Sequence, residues 1–296
     1  MRFVLLAAFC CLSAAPATQV VILGTGTPRA DPDRSGPAVA VIYDDQAYLF
    51  DAGPGLVRRA AAASRAHHIA ALLAAQLRLA FLTHLHSDHT LGLPDLIFSP
   101  WVLGRTEPLE LFGPLGTKAM VDHIEAAWKQ DIDIRIHGLE RANETGYKVT
   151  VHETKGGVIF KDGGVQVRAI PVHHGSWPQA FGYRIDTPER AVVISGDCSP
   201  SPALLEAAKG CDVLLHEVYS ERAPERGEHE RASWPEYLRQ FHTSTAEVAA
   251  IANKAKPKLL VLYHQVLGGE TDEALLEQVR RSYKGPVAVA RDLDVY

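Results

Sequence analysis

Residues 84–89 read His-Leu-His-Ser-Asp-His, four metal-binding side chains in six positions, directly behind the apolar run Leu79-Ala80-Phe81-Leu82. Such a segment suits the end of a buried strand at a cation-binding edge. Two imidazoles two residues apart, His84 and His86, can close on one cation, while Asp88 and His89 point elsewhere and can hold a second beside it. Structural zinc sites favour cysteine and close all four positions, whereas His and Asp sets with room for water are the catalytic kind. The plain alternative is a solvated His-rich turn; after an apolar strand this spacing makes it the weaker one.

The 296 residues, 47% hydrophobic and 22% charged, suit a soluble globular enzyme with a large core. Residues 1–17 have a basic start at Arg2, an apolar stretch and an Ala15-Pro16-Ala17 end, which predicts a secretory signal cleaved after Ala17 and a single domain over 18–296. The stretch is shorter than the roughly 20 residues that span a bilayer, so no stable membrane insertion is expected. Lipid attachment at Cys10 or Cys11 is a lesser alternative, because Phe9 stands where a small residue would be needed. The mature chain is expected in the periplasm or outside the cell. Losing Arg2 takes Lys+Arg from 30 to 29 against 35 Asp+Glu, and the net charge from -5 to -6, a balance that gives nothing to nucleic-acid binding. Cys198 follows one predicted strand and Cys211 opens the next, at opposite ends of a parallel crossover, so two free thiols are expected.

Strand signals at Gln19–Leu23, Ala38–Tyr43 and Ala47–Phe50 predict an antiparallel meander. Helical spacing covers Leu56–Leu77 before the strand Leu79–Leu82. Leu109–Phe112 reads as a strand, Thr117–Trp128 as a helix, and Lys148–Glu153 with Val158–Phe160 as a hairpin. Further on, strands Val165–Pro171, Phe181–Ile185, Ala191–Ser195, Asp212–Val218, Lys258–Tyr263 and Val287–Ala290 are expected. Helices Pro202–Lys209, Thr245–Ala255 and Asp272–Tyr283 are interspersed among them. Two mixed sheets with helices on their outer faces, an α/β arrangement, satisfy both halves. His67, His68, His123, His137 and His152 lack ligand spacing and read as helix or surface residues. Glu221–Arg231, dense in charge, reads as a solvated loop.

The remaining candidate ligands each follow a predicted strand, where loops converge on a site. They are His174, with His173 as its competitor, Asp197 in Ser195-Gly196-Asp197, and His264. One cation would take His84, His86 and His174, the other Asp88, His89 and His264, with Asp197 bridging. Such a pair lowers the pKa of a bridging water so that hydroxide exists near neutral pH, and Asp88 can orient that water or take its proton.

Several motifs occur in order along most of the chain: Leu23-Gly24-Thr25-Gly26-Thr27-Pro28, Asp51-Ala52-Gly53-Pro54-Gly55, Thr83 to Thr90, and His174 with Phe181-Gly182-Tyr183-Arg184. Ser195-Gly196-Asp197, His216-Glu217, His242-Thr243-Ser244 and Leu262-Tyr263-His264 follow. In this order they resemble the metallo-β-lactamase superfamily, in the branch of ribonuclease Z and the arylsulfatase-like hydrolases. The resemblance implies a four-layer αββα sandwich of two mixed sheets with the site at their shared edge, and it selects His174 over His173. It implies two Zn2+ ions, because His86 stands where diiron relatives carry Glu; manganese or iron stay compatible with the ligand types. It also implies that His242, paired with Glu217, stands near the leaving group as a proton donor. A helix-capping role is the alternative for His242. Asp51 would orient the histidine ligands or simply form a turn, and His216 is open between supporting the sheet end and backing the site.

The tRNA-binding arm of ribonuclease Z lies between the positions matching His174 and Asp197, and here only Gly175–Gly196 separate them. With the export signal and the negative charge, this predicts no nucleic-acid partner and a small-molecule ester as substrate. A phosphodiester or sulfate ester, as in the arylsulfatase-like relatives, leads. Phe98, Trp101, Trp177 and Trp234 are candidates to line an aryl pocket or to pack in core and rim. The competing readings are a lactone or β-lactam hydrolase, a tRNA 3′-processing endoribonuclease and a non-catalytic metal-binding scaffold. A homodimer is open to such a chain.

Overall fold

The computed structural model describes residues 18–222 and 233–296. The expected signal, 1–17, and residues 223–231 of the expected charged loop lie outside the described residues. The chain begins with β1 (Gln19–Gly24), β2 (Ala38–Tyr43) and β3 (Gln46–Phe50), an antiparallel meander as expected. Helix α1 (Leu56–His67), strand β4 (Leu79–Phe81), helices α2 (Ser87–Thr90) and α3 (Leu93–Val102) and strand β5 (Leu109–Gly113) follow. Helices α4 (Thr117–Ala127) and α5 (Lys129–His137) then lead to β6 (Val149–Glu153). These strands form a six-stranded sheet in sequence order, parallel from β3 onward.

The second sheet opens with β7 (Gly157–Asp162), β8 (Val165–Val172), β9 (Ala180–Asp186) and β10 (Ala191–Ile194), all antiparallel. After α6 (Pro202–Ala208), β11 (Val213–Tyr219), α7 (Trp234–Phe241), α8 (Thr245–Ala255), β12 (Leu259–Val266), α9 (Asp272–Ser282) and β13 (Val287–Val289) complete it in parallel. Residues 293–296 return to pair with β1, so the edge of the first sheet is covered. Among the described residues no helix is long and apolar enough to cross a membrane.

Strand alternation sorts the core into layers. Val20, Ile22, Val39, Val41, Phe50 and Phe81 of the first sheet pack against Val167, Tyr183, Ile185, Leu215 and Val261 of the second. The alternate residues Val21, Leu23, Ala40 and Leu49 pack on the outer side with α1 and α3, while Leu214, Val218, Leu260 and Leu262 pack with α6, α8 and α9. The result is the expected αββα sandwich. A stack of Phe50, Phe81 and Phe112, with centroids 5.1 and 5.0 Å apart, runs across β3, β4 and β5. Each such pair contributes about 0.5–1.5 kcal/mol beyond its buried area.

Three expectations fail for local reasons. The helix expected to Leu77 stops at His67, because His68 turns left-handed (φ 57°) and its N–H bonds back to Ser64; two 3-10 turns carry the chain to β4. The expected hairpin across 148–160 is a crossing between sheets: β6 pairs with β5 and β7 with β8. Alternation marks a strand without naming its partner. Helix α5 escaped the pattern because only Ile132 in it is buried, too little for an apolar stripe. Cys198 and Cys211 are free and buried, as expected.

Arg105 is 2% exposed and pins three segments around the site's supporting layer. Its guanidinium donates to the carbonyls of Leu77 (2.7 Å), Leu96 (3.0 Å), Ile97 (2.7 Å) and Gly146 (2.9 and 3.0 Å). Burial lowers its pKa to about 10, so it stays charged at neutral pH. Arg105→Met should leave these carbonyls without donors and cost about 3 kcal/mol or more. A urea unfolding midpoint checks this, and an Arg105→Lys variant, which lacks the planar fork, should recover only part of the loss.

Candidate metal centre

The two sheets are clamped where β4 ends. Tyr183 of β9 donates its hydroxyl to the Leu82 carbonyl (2.7 Å), and the Phe181 N–H bonds the Thr83 carbonyl (2.9 Å). Beside this clamp Gly196 turns left-handed (φ 58°), and a Cβ there would lie 2.4 Å from the Phe181 carbonyl oxygen. Only glycine fits, and the turn delivers Asp197. His264 is the extra residue of a bulge in β12: Tyr263 pairs with Glu217 and Gln265 with Val218, while His264 takes φ 48°. Bulges re-aim side chains next to sites, and this one turns the imidazole out of the ladder.

All seven expected ligands converge. His84, His86, His174 and Asp197 form one group and Asp88, His89 and His264 another, with donor atoms within 4.8 Å of one another in each. His86 Nδ1 is 2.9 Å from His84 Nε2 and 3.2 Å from His174 Nε2. Asp88 Oδ2 lies 3.3 Å from His264 Nε2 and 3.6 Å from His89 Nε2. Asp197 Oδ2 lies between the groups, 3.4 Å from His89 Nε2, 3.6 Å from His264 Nε2 and 4.0 Å from His174 Nε2. His173 is exposed and outside both groups.

The outer hydrogen bonds aim the inner nitrogens. His174 Nδ1 donates to the Phe241 carbonyl (2.6 Å), and His89 Nδ1 donates to Asp51 Oδ2 (2.9 Å). Thr83 Oγ1 gives its proton to Asp51 (2.9 Å) and therefore accepts from His84 Nδ1 (2.9 Å). In the neutral ring each of these leaves Nε2 with a lone pair facing inward, the form a metal requires. Asp51 is thus an orienting carboxylate rather than a simple turn residue. Burial lowers the His174 pKa to about 4, which keeps that ring neutral. Burial also opposes charge on His89, yet Asp197, Asp51 and Asp88 together hold its pKa well above the ordinary value. The carboxylates therefore demand positive charge. His89 Nε2 and Asp197 Oδ1 are buried without hydrogen-bond partners among the described residues. Orphaned inner donors and acceptors in a His and Asp set fit divalent cations.

His242 and Glu217 stand beside this centre. His242 Nδ1 is 3.3 Å from Glu217 Oε2 and 4.0 Å from Asp197 Oδ2. Glu217 Oε1 accepts the Thr243 N–H at 2.8 Å. Burial, then the nearby Asp197, raises the Glu217 pKa well above normal, and burial lowers that of His242 to about 4. The capping role falls to Ser244, in a capping box with Glu247. His216 alternates with Glu217, sits on the helix side with Leu214 and Val218, and donates Nδ1 to the Glu217 carbonyl (2.7 Å), so it supports the sheet. Of the four expected aromatics, Trp101 and Phe98 pack in the core, while Trp177 crosses the His86 ring at 4.8 Å. Trp234 starts α7 and stacks on Tyr237. The sequence reading missed α7, and with it Tyr237 and the Phe241 carbonyl; Pro235 in the first turn was the available signal.

The profile of the beta-lactamase superfamily domain matches residues 46–265. The chain is 34% identical over 281 residues to a ribonuclease Z from Mycobacterium bovis, covering 93% of this chain and 96% of that one. A ribonuclease Z from Mycobacterium tuberculosis is 32% identical over the same share of both chains. Among solved structures, human tRNase Z, short form, superposes with a TM-score of 0.65 at 23% identity over 94% of this chain and 98% of that one. The metallo-beta-lactamase fold protein YhfI from Bacillus subtilis gives 0.68 at 17% identity over 94% and 99%.

These relatives overturn two expectations: the small-molecule ester substrate, arylsulfatase-like or otherwise, and the absence of a nucleic-acid partner. The short stretch between His174 and Asp197 does not set this chain apart from those relatives. Since 93% of 296 residues is about 275, the 281 aligned positions leave the Mycobacterium bovis protein only about six more residues in the matched region. A protein named ribonuclease Z therefore lacks a long arm there too. Net charge averages over a whole molecule and says little about a cleft that binds cations.

His86 differs from the other histidines in its outer contact. The Trp177 indole can only donate, and it lies 2.6 Å from His86 Nε2. A cation held by His86 through Nδ1 would put the ring proton on Nε2, and the indole would then lose its acceptor. Metal loading should change tryptophan emission in the wild type and much less in Trp177→Phe, read by fluorescence titration. Asp51→Ala should weaken metal binding roughly 10–100-fold, measured by chelator competition.

Proposed function

Because the chain belongs to the beta-lactamase superfamily of metal-dependent hydrolases, in its ribonuclease Z-like branch, we propose that it is an endoribonuclease with transfer RNA precursors as its substrate class. The observation that carries this reading is the 34% identity to a ribonuclease Z over 93% of this chain and 96% of that one. The site agrees in chemistry: His242 and Glu217 flank the candidate metal centre as a phosphodiester leaving group would require.

We assign two zinc ions to the centre, one to His84, His86 and His174, the other to Asp88, His89 and His264, with Asp197 shared. When bound, such ions make hydroxide available near neutral pH and neutralise charge developing on the phosphate. The chain's own residues position and move protons. Asp88, 3.3 Å from His264 Nε2, orients the attacking water or takes its proton. His242 releases a proton from Nε2 to the departing oxygen. Glu217, whose burial favours the protonated carboxyl, resupplies Nδ1 across 3.3 Å.

Zinc-loaded protein should cut a transfer RNA precursor transcript that carries a 3′ trailer, and chelation should abolish the cut. His242→Ala should lower kcat about 10²–10⁴-fold with the metal content unchanged. Gel analysis of the cleaved transcript and mass spectrometry of bound metal read both. No cleavage by protein loaded with zinc, manganese or iron would sink the reading.

A further inference from the structure

Helix α7 presents Trp234, Tyr237 and Phe241 at spacings of three and four, which puts them on one face. The rings of Trp234 and Tyr237 stack at 5.2 Å and 11°, and those of Tyr237 and Phe241 at 4.3 Å and 19°. Tyr237 is therefore clamped between neighbours that precede and follow it along the helix. Phe241 is itself immobilised: its ring meets His174 edge-on at 5.0 Å, and a Cβ on Gly175 would fall 2.0 Å from it. Through this stack the ring of Tyr237 is held beside His242, the two rings 5.7 Å apart.

The phenol lies beside the centre, its ring next to that of His242. Burial raises its pKa to about 12, and Asp197, Asp88 and Glu217 add to the rise, so the hydroxyl lies within the field of the site carboxylates and keeps its proton. Among the described residues no hydrogen bond reaches that hydroxyl. A preorganised, protonated hydroxyl without a partner is a donor suited to an anionic oxygen, and such donors act most strongly where charge accumulates in the transition state.

We propose that the Tyr237 hydroxyl donates a hydrogen bond to a non-bridging oxygen of the scissile phosphate, which makes Tyr237 a catalytic residue of this site. The proposal rests on the phosphodiester reading above. A neutral donor suits this position, because it adds no charge that would compete with cations for the carboxylates.

Tyr237→Phe keeps the ring stack and removes only the hydroxyl. Zinc-loaded wild type and variant should match in metal content and melting temperature. The variant should lose roughly ten- to a hundredfold in kcat on the precursor transcript. It should also bind inorganic phosphate several-fold more weakly by calorimetry. Equal phosphate affinity in the two proteins overturns the role of Tyr237, whatever the RNA assay shows, and so does equal kcat where the wild type cleaves. If the wild type cuts no RNA while the variant binds phosphate more weakly, the ribonuclease reading falls and the hydroxyl's contact with phosphate stands.

Discussion

The centre depends on burying the carboxylate of Asp197 among imidazoles. Four rings, those of His89, His264, His174 and His242, lie 3.4 to 4.0 Å from its Oδ2. Taking such a group out of water costs several kcal/mol unless positive charge answers it. Asp51 and Asp88 repeat the demand nearby. The backbone is also held against its preference, with Asp51 at φ 62° and His264 at φ 48°, each worth about 1–3 kcal/mol of strain. The interleaved aromatic core and the Tyr183 clamp between the sheets provide the rigidity that sustains this arrangement in the folded chain, and a bound cation would then relieve the electrostatic part.

The candidate ligands were legible because their chemistry is written in side chains. His84, His86, Asp88 and His89 declare themselves by spacing, and Asp197 and His264 by following apolar runs that end at the same edge. What could not be read was carried by the backbone. The Phe241 carbonyl that orients His174 has no residue-type signature, and the bulge that turns His264 inward looks in sequence like one more strand residue. The crossing between sheets at 154–156 was hidden for a related reason: two half-exposed alternating runs predict strands equally well whether they pair with each other or with different sheets. Asp51 had two readings of nearly equal merit, and only its contacts with Thr83 and His89 decide between them.

What a chain lacks is a weak guide to its substrate. An insertion that is missing between His174 and Asp197 removes one way of holding RNA, but it leaves the hydrolytic centre untouched. Relatives of matching length carry the ribonuclease Z name without room for a long arm. Overall charge misled similarly, since it counts carboxylates that the centre itself uses. Three of the acidic residues counted against nucleic acid, Asp51, Asp88 and Asp197, are committed to imidazoles in the site and would help to hold cations there.

The division of labour along the chain follows from this. The first sheet contributes His84 to His89 and Asp51, which gather and orient ligands. The second contributes His174, Asp197 and His264, together with the groups proposed to act on the leaving side. Glu217 on β11, Tyr237 on α7 and His242 at the end of α7 all come from the stretch between β11 and α8. Ligand sets of this kind serve attack on many electrophiles, because the cations respond to developing charge and not to the rest of the substrate. Discrimination between leaving groups must then come from residues that touch the departing side. In this fold the residues proposed for that side share one segment, tied to the ligand side through the Phe241 carbonyl and ring on His174.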